Sequence, residues 1–176
     1  MGFYKFIMID KNGYLLNVGI VLTNQKGQLF WGRHAKSYGW QFPQGGVNPY
    51  ETLSETMYRE LDEEVGLKKA DVEILAITKH WVKYDLPIHM RRISQFPLCI
   101  GQKQKWFLLK LNGSDSKIHL DSNRKPEFNA WKWVDYWIPL GQVIYFKRDI
   151  YQKVLIEFNK VIKLKRKYVN KQCNSG

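Results

Sequence analysis

The sequence has little cysteine. Only Cys99 and Cys173 occur in 176 residues, with no CxxC pair and no histidine close to either. The sequence therefore suggests neither a disulfide framework nor a structural zinc site. The low cysteine content is typical of proteins in a reducing compartment, and we expect a cytoplasmic protein.

Long apolar runs are also missing. The first residues, MGFYKFIMID, lack the apolar core of a signal peptide. No segment approaches the roughly 20 apolar residues that a membrane-spanning helix needs. We therefore predict no membrane association.

The chain is long enough to bury one core, and no repeat or linker divides it, so we expect a single domain. We also expect a monomer.

Acidic residues are scarce relative to basic ones. The chain has 16 Asp+Glu against 28 Lys+Arg, a formal net charge of +12, which favours a polyanionic partner such as nucleic acid. Part of this charge lies in the C-terminal stretch KVIKLKRKYVNKQCNSG, which has no acid. We predict a domain over residues 8–163 and a basic, disordered tail over 164–176.

The acidic residues that exist are concentrated in the segment FPQGGVNPYETLSETMYRELDEEVGL, residues 42–67. Its second half predicts a helix, because Thr52 and Glu55 form a capping box and Gly66 is a left-handed stop. The buried stripe of this helix follows four-residue spacing: Leu53, Met57, Leu61 and Val65.

The remaining pattern predicts an α/β domain with a mixed sheet and two helices. A hairpin is expected from strands at 15–23 and 28–34, and further strands at 72–78, 104–111 and 130–134. A long connection over 83–101 is of the kind that often carries function. The chain closes with a helix over 147–163.

Three carboxylates stand out in the first helix. Glu60, Glu63 and Glu64 are three and four positions apart, so their side chains converge on one face. Such like charges repel, and a divalent metal bound by hard oxygen ligands, Mg²⁺ or Mn²⁺, would neutralise them. The alternative is a solvated acidic face. The upstream Gly-Gly pair favours the metal, because glycine lets backbone approach an ion or a phosphate closely.

These residues follow a known spacing. Gly45, five residues, Glu51, seven residues and then RELDEEVGL over 59–67, including Gly66, resemble the Nudix box of the Nudix hydrolases. The motifs GYLLNVGIVL, WQFPQGGVNP, CIGQKQKWFLLKL, PEFNAWKWVDYW and FKRDIYQKV resemble the bacterial RNA pyrophosphohydrolases of that superfamily, over roughly residues 8–158.

The resemblance implies an α/β/α sandwich and a reaction. The substrate would be a 5′-triphosphorylated or 5′-diphosphorylated RNA end, converted to a monophosphate by metal-activated water, which initiates mRNA decay. It also implies a site with more than one Mg²⁺ or Mn²⁺ ion. The ions would be bound by Glu60, Glu63, Glu64, Glu127 and the carbonyl of Gly45.

The resemblance further assigns supporting roles. Arg59 would orient a carboxylate, Glu51 would brace the loop, and Glu127 could act as a base. The RNA end would be contacted by a further set of side chains: Tyr84, Gln102, Gln104, Phe146 and Lys147. Lys103 and Lys105 are expected to flank the same cleft.

Two positions depart from the subfamily pattern. Leu15 and His34 stand where the subfamily usually carries arginines expected to touch phosphate. We therefore expect weaker affinity for RNA ends or a shifted preference for their phosphorylation state, with metal chemistry retained. His34 is otherwise interpreted as an ordinary strand residue.

Two other functions stay open at this point. One is a Nudix hydrolase acting mainly on dinucleoside polyphosphates, which present a similar phosphate chain. The other is a non-catalytic RNA-binding protein, against which the intact set of Glu60, Glu63 and Glu64 speaks. The sequence also leaves open whether a partner protein stimulates turnover.

Overall fold

The structure is a computed structural model that describes residues 8–37, 39–91, 97–121 and 125–173, the last nine of these as backbone only. In this part of the chain the strands are β1 (Tyr14–Thr23), β2 (Leu29–His34), β3 (Trp40–Gln41), β4 (Gln44–Gly46), β5 (Val72–Ile77), β6 (Val82–Asp85), β7 (Gly101–Leu111) and β8 (Phe128–Val134). The helices are α1 (Leu53–Val65), α2 (Ile138–Gln142) and α3 (Arg148–Cys173).

The strands form one mixed sheet in the order β3-β2-β1-β7-β5. β1 and β7 are parallel along their whole length, from Tyr14↔Gly101 to Thr23↔Lys110. The other pairings are antiparallel: β4 extends the edge of β1, β6 pairs with β7, and β8 pairs with β2. The predicted mixed sheet is confirmed.

Each face of the sheet is covered by a helix. Alternate residues of the central strands point to opposite faces. Val18, Ile20 and Leu22 of β1 pack in a core with α1, whereas Val21 belongs to a second core with α3. The predicted α/β class and sandwich architecture are therefore confirmed.

Helix α1 forms as its local sequence predicts. Thr52 and Glu55 make the reciprocal capping box, and Gly66 ends the helix with φ of 75°. Met57, Leu61 and Val65 are fully buried, with Leu53 partly buried against the same core. The capped helix therefore holds Glu60, Glu63 and Glu64 in fixed positions relative to the core.

The predicted connections are confirmed in part. β1 and β2 form the predicted antiparallel hairpin, although they pair only at Thr23↔Leu29, because the middle of β1 pairs with β4. The segment 83–101 contains most of β6 and a 3₁₀ turn at Ile88–Met90, so it is not one long loop. Its residues 92–96 lie outside the described part.

The C-terminal helix begins one residue later than predicted and continues to Cys173, into the segment 164–176 that was expected to be a disordered tail. Residues 174–176 of that segment lie outside the described part. Among the described helices, none is long and apolar enough to cross a membrane.

Candidate active site

The carboxylates of α1 lie under the glycine loop. β4 pairs with β1 through Asn17↔Gly46 and Val18↔Gly45, which brings the loop across the helix. A Cβ atom on Gly45 would lie 1.7 Å from Cδ of Glu60, so any larger residue would displace the Glu60 carboxylate. Glu60 and Glu64 are 2% and 7% exposed, which excludes a solvated acidic face for these two residues.

Glu64 is also held by the loop. Its Oε2 accepts a hydrogen bond from the backbone N–H of Gln44 at 3.1 Å. The two buried carboxylates are therefore fixed by packing against the same three-residue strand. Glu63, on the outer side of the helix, is 36% exposed and lies 3.6 Å from Nη1 of Arg59.

Arg59 connects the loop to the helix. Its Nε and Nη2 donate to the two carboxylate oxygens of Glu51 at 2.7 and 2.9 Å. Nη2 also donates to the carbonyl of Gly46 at 3.0 Å, and Nη1 contacts Glu60. Arg59 lowers the pKa of Glu51 to about 2. These contacts fit the roles predicted for Arg59 and Glu51 as orienting and bracing residues.

The residue types of this cluster fit a divalent cation. Carboxylate oxygens three and four positions apart on a helix, with a glycine cradle against one of them, are a hard oxygen donor set. Among the described residues, however, no three acidic, histidine or cysteine side chains lie in a common ligand arrangement. Glu60 is paired with Arg59, so ion binding would need it to exchange that partner for the cation.

Glu127 lies immediately before β8 and contacts a residue with no predicted role in the site. Nε2 of His34 is 2.8 Å from Oε1 of Glu127. The neighbouring backbone is joined as well, since the N–H of Ala35 donates to the carbonyl of Glu127 at 2.8 Å. The signal that could have identified His34 is its position in WGRH, where the resemblance expects a functional side chain.

Lys147 lies in a 3₁₀ turn before α3 and is only 7% exposed. Its Nζ donates to Oε1 of Gln41 at 3.2 Å and to Oε1 of Gln44 at 3.3 Å. Burial lowers its pKa to about 8, although Glu64 and Glu127 both act in the opposite direction. Lys147 is thus coupled electrostatically to a carboxylate of α1 and to Glu127.

Two aromatic rings lie beside this lysine. Tyr84 and Phe146 stack with centroids 5.8 Å apart and an interplanar angle of 30°. Nζ of Lys147 is 5.8 Å from the centroid of Tyr84. Tyr84 is 7% exposed, and burial raises the pKa of its hydroxyl. Phe146 is the more exposed of the two rings, so it offers the free aromatic surface.

The predicted glutamines occupy different depths. Gln104 has no exposed surface, and its Nε2 has three side-chain oxygens within hydrogen-bond distance: Asn17 at 2.9 Å, Gln102 at 3.1 Å and Gln44 at 3.3 Å. Gln104 therefore lies behind Gln102, which is partly exposed. This arrangement brings Gln102 nearer to any surface ligand than Gln104.

The two lysines of the same strand do not join the glutamines. Lys103 and Lys105 alternate with Gln102 and Gln104 along β7, so they leave the sheet on the other face. Nζ of Lys103 lies 3.4 Å from Asp10, and Nζ of Lys105 donates to backbone carbonyls of residues 78 and 79. Lys103 and Lys105 therefore lie on the opposite face of β7 from the glutamines, and their place beside the cleft stays a prediction.

Comparison with known protein families identifies the family of this chain. The family model described as NUDIX domain matches residues 13–155, most of the chain. The chain belongs to the NUDIX domain family. The resemblance stated from the sequence is confirmed, and Nudix hydrolases generally need divalent metal ions.

Two curated relatives of this chain share one subfamily name within the Nudix family. A protein of Pseudomonas putida (strain F1) is 55% identical over 150 residues, covering 85% of this chain and 94% of the relative. One of Shigella boydii serotype 4 (strain Sb227) is 53% identical and covers 88% of each chain. Both are named RNA pyrophosphohydrolase.

A solved structure supports the Nudix fold at much lower sequence identity. The E. coli dihydroneopterin triphosphate pyrophosphohydrolase superposes with a TM-score of 0.63 at 19% identity, covering 81% of this chain and 95% of that one. At that identity the likeness shows the fold alone.

Proposed function

We propose that this Nudix protein is an RNA pyrophosphohydrolase that converts 5′-triphosphorylated or 5′-diphosphorylated RNA ends to 5′-monophosphates and so initiates mRNA decay in the cytoplasm. The structural observation that supports the proposal is that three features of the site lie next to one another. Gln44 contacts both Glu64, a buried carboxylate of the Nudix helix, and the buried Lys147, and the stacked pair of Tyr84 and Phe146 lies beside that lysine. A polyphosphate attached to a base needs each of these three features.

The metal-binding part of the proposal uses Glu60, Glu63, Glu64 and Glu127 with the carbonyl of Gly45. We assign Mg²⁺ or Mn²⁺, more than one ion, because hard oxygen donors select these cations. When bound, the cations would polarise the phosphoryl oxygens and lower the pKa of a water molecule. The chain itself orients the donors, since the Gly45 loop buries Glu60 and the backbone of Gln44 holds Glu64.

Other side chains bind the substrate and handle its proton. Lys147 Nζ, aimed between Gln41 and Gln44, would contact the polyphosphate. If Glu127 acts as the base, its carboxylate would accept the proton of the attacking water. The free face of Phe146 would stack on a base, and Gln102 would contact the 5′ end with Gln104 as its support.

The net charge of +12 suits an RNA body better than a small nucleotide, because each phosphate neutralised by a cationic side chain adds affinity. Dinucleoside polyphosphates remain the competing substrate class for the same site. The RNA body distinguishes the two, since only RNA offers phosphates beyond the hydrolysed chain.

The test is a comparison of substrates at equal concentration. Release of phosphate or pyrophosphate from a short 5′-triphosphorylated RNA is measured with Mg²⁺ and with chelator, beside a diadenosine polyphosphate. Metal-dependent turnover of RNA well above that of the dinucleotide supports the proposal. The reverse order would make this a dinucleoside polyphosphate hydrolase, and RNA binding without turnover of either substrate would make it a binding protein.

Leu15 offers a separate prediction about RNA affinity. It lies beside Gln102 in the β1–β7 register and shares a sheet face with Asn17 and Gln104. We expect Leu15→Arg to lower the KM for triphosphorylated RNA about tenfold, because one charge-assisted contact to phosphate contributes about 1.5 kcal/mol. The kcat should stay within about twofold.

The measurement for Leu15→Arg is steady-state kinetics on RNA at two salt concentrations, with Leu15→Met as the uncharged control. The gain should shrink at high salt, since it is electrostatic. An unchanged KM at low salt would show that this position does not face the phosphates.

A further inference from the structure

We propose that His34 is a positioning residue that orients Glu127 through its Nε2–H, in place of the phosphate contact expected of the arginine usual at this position. The inference rests on the proposed function, because it concerns the orientation of Glu127 for the same reaction. Its structural part is independent of any substrate. It follows from which atoms the imidazole contacts.

Both ring nitrogens of His34 are engaged by protein groups. Nδ1 accepts hydrogen bonds from the backbone N–H groups of Lys36 and Ser37, each at 3.1 Å. Because two donors point at Nδ1, that nitrogen carries no proton, and the hydrogen must reside on Nε2. Nε2 then donates to Oε1 of Glu127 at 2.8 Å. No ring N–H is left to contact a phosphate.

The backbone around His34 favours this orientation. The register of β2 against β8 shifts by one residue here, since Arg33 faces Ala130 whereas His34 faces Phe128, and such irregularities re-aim side chains. His34 N–H donates to the carbonyl of Gly39 at 3.0 Å, and the next N–H, of Ala35, donates to the carbonyl of Glu127. The turn that follows β2 therefore encloses the ring and joins it to the start of β8.

Glu127 needs such a partner. Its side chain is 38% exposed, whereas that of His34 is 18% exposed. An exposed glutamate loses considerable rotamer freedom when it is held in one orientation. A hydrogen bond from a half-buried ring fixes one carboxylate oxygen and leaves the other available to the reaction. Partners of this kind typically contribute 10–100-fold to the function of the group that they hold.

Substitutions of His34 separate positioning from direct contact. Glutamine places its amide N–H near the position of Nε2, whereas asparagine reaches only the position of Nδ1. We expect His34→Asn and His34→Ala to lower kcat on triphosphorylated RNA at least about tenfold with KM changed less than about threefold, and His34→Gln to retain most of the activity. Circular dichroism of each variant checks the fold.

A double-mutant cycle tests whether His34 acts through Glu127. In the Glu127→Gln background, His34→Ala should cause little further loss, because its partner is already removed. Additive losses, or a raised KM with kcat unchanged, would overturn the proposal. The same cycle on a diadenosine polyphosphate serves if wild-type protein does not hydrolyse RNA, so failure of the RNA assignment is distinguished from failure of the role of His34.

A measurement without metal or substrate completes the test. Two-bond ¹H–¹⁵N correlation spectra of the metal-free protein report which ring nitrogen of each histidine carries the proton. Comparison with His34→Gln assigns the signal of His34. The Nε2–H tautomer is expected, and its signal should shift in Glu127→Gln. The Nδ1–H tautomer would overturn the proposal whatever the kinetics show.

Discussion

Replacing Glu64 by glutamine should lower turnover about 1,000-fold while leaving the fold intact. The variant keeps the size and shape of the side chain, and its amide oxygen can still accept the hydrogen bond from Gln44. What it loses is the negative charge, which a divalent cation at this position needs. Cation stabilisation of phosphoryl transfer is worth several kcal/mol, and about 4 kcal/mol corresponds to three orders of magnitude.

Asp62→Asn is the matched control for this experiment. It removes one negative charge from the same helix, but the side chain of Asp62 is 39% exposed and is paired with Lys68 at 2.6 Å. Its turnover should stay within about threefold of wild type. Mn²⁺ binding, measured by electron paramagnetic resonance, should weaken in Glu64→Gln and not in Asp62→Asn.

Circular dichroism decides how the Glu64→Gln result is interpreted. An unchanged spectrum with strongly reduced turnover supports a metal-binding role for Glu64. Near-normal turnover with an unchanged spectrum would refute the metal site as assigned. Glu63→Gln is a second comparison, because the side chain of Glu63 is 36% exposed. We expect this variant to lose less activity than Glu64→Gln, because water replaces an exposed ligand more easily.

Helix α1 was predictable because its signals are local. A capping box, a four-residue apolar repeat and a terminal glycine lie within fifteen consecutive residues and agree with one another. The spacing of Glu60, Glu63 and Glu64 follows directly from helix geometry. The types of residue in the site could therefore be predicted from the sequence.

The burial of those carboxylates could not be predicted in the same way. Glu60 is buried because β4 pairs with the middle of β1, and β4 has only three residues, two of them glycine. So short a strand has no alternating pattern to detect. The hairpin between β1 and β2 could be predicted from its local turn, whereas the pairing of β4 with the middle of β1 could not.

The contact between His34 and Glu127 joins residues far apart in the chain. It depends on a shift of strand register, which has no signature in hydrophobic periodicity, and on two backbone N–H groups that select a tautomer. Similarly, the alternation of β7 indicates that Gln102 and Gln104 share a face, but not that Gln104 is fully buried behind Gln102. Depth within a site is a property of packing between elements.

Replacing Lys147 by methionine should reduce turnover about 100-fold or more without weakening the fold at pH 7. Removal of one positioned donor to a charged group in a phosphoryl transfer site typically costs 10²–10³ in kcat. Methionine has a similar length and fills the same buried space. Gln41 and Gln44 each lose one donor, at a cost of about 1 kcal/mol each, whereas the penalty for burying a charged ammonium disappears.

The pH dependence of stability separates these contributions. The pKa of Lys147 is about 8 in the folded protein and about 10.4 when unfolded. Between these values the unfolded chain binds more protons, so Lys147 makes the free energy of unfolding rise with pH. Below pH 8 the burial penalty is fully present. Across the window, wild type should gain up to about 3 kcal/mol relative to Lys147→Met.

Urea unfolding of both proteins between pH 7 and 9.5 measures the part of this difference that falls in that range, about 2 kcal/mol. The range stops below the ionisation of tyrosine, because burial also raises the pKa values of Tyr84 and Tyr151 in the folded state. Lys69→Met is the control, since Lys69 is exposed on the 3₁₀ turn after α1 and its loss should alter neither turnover nor the pH slope. Parallel stability curves for wild type and Lys147→Met would contradict a depressed pKa at Lys147. Suppose instead that Lys147→Met loses turnover and that the two free energies of unfolding draw apart with pH as predicted. The fold would then tolerate a destabilising buried cation at the position where the polyphosphate is expected to bind.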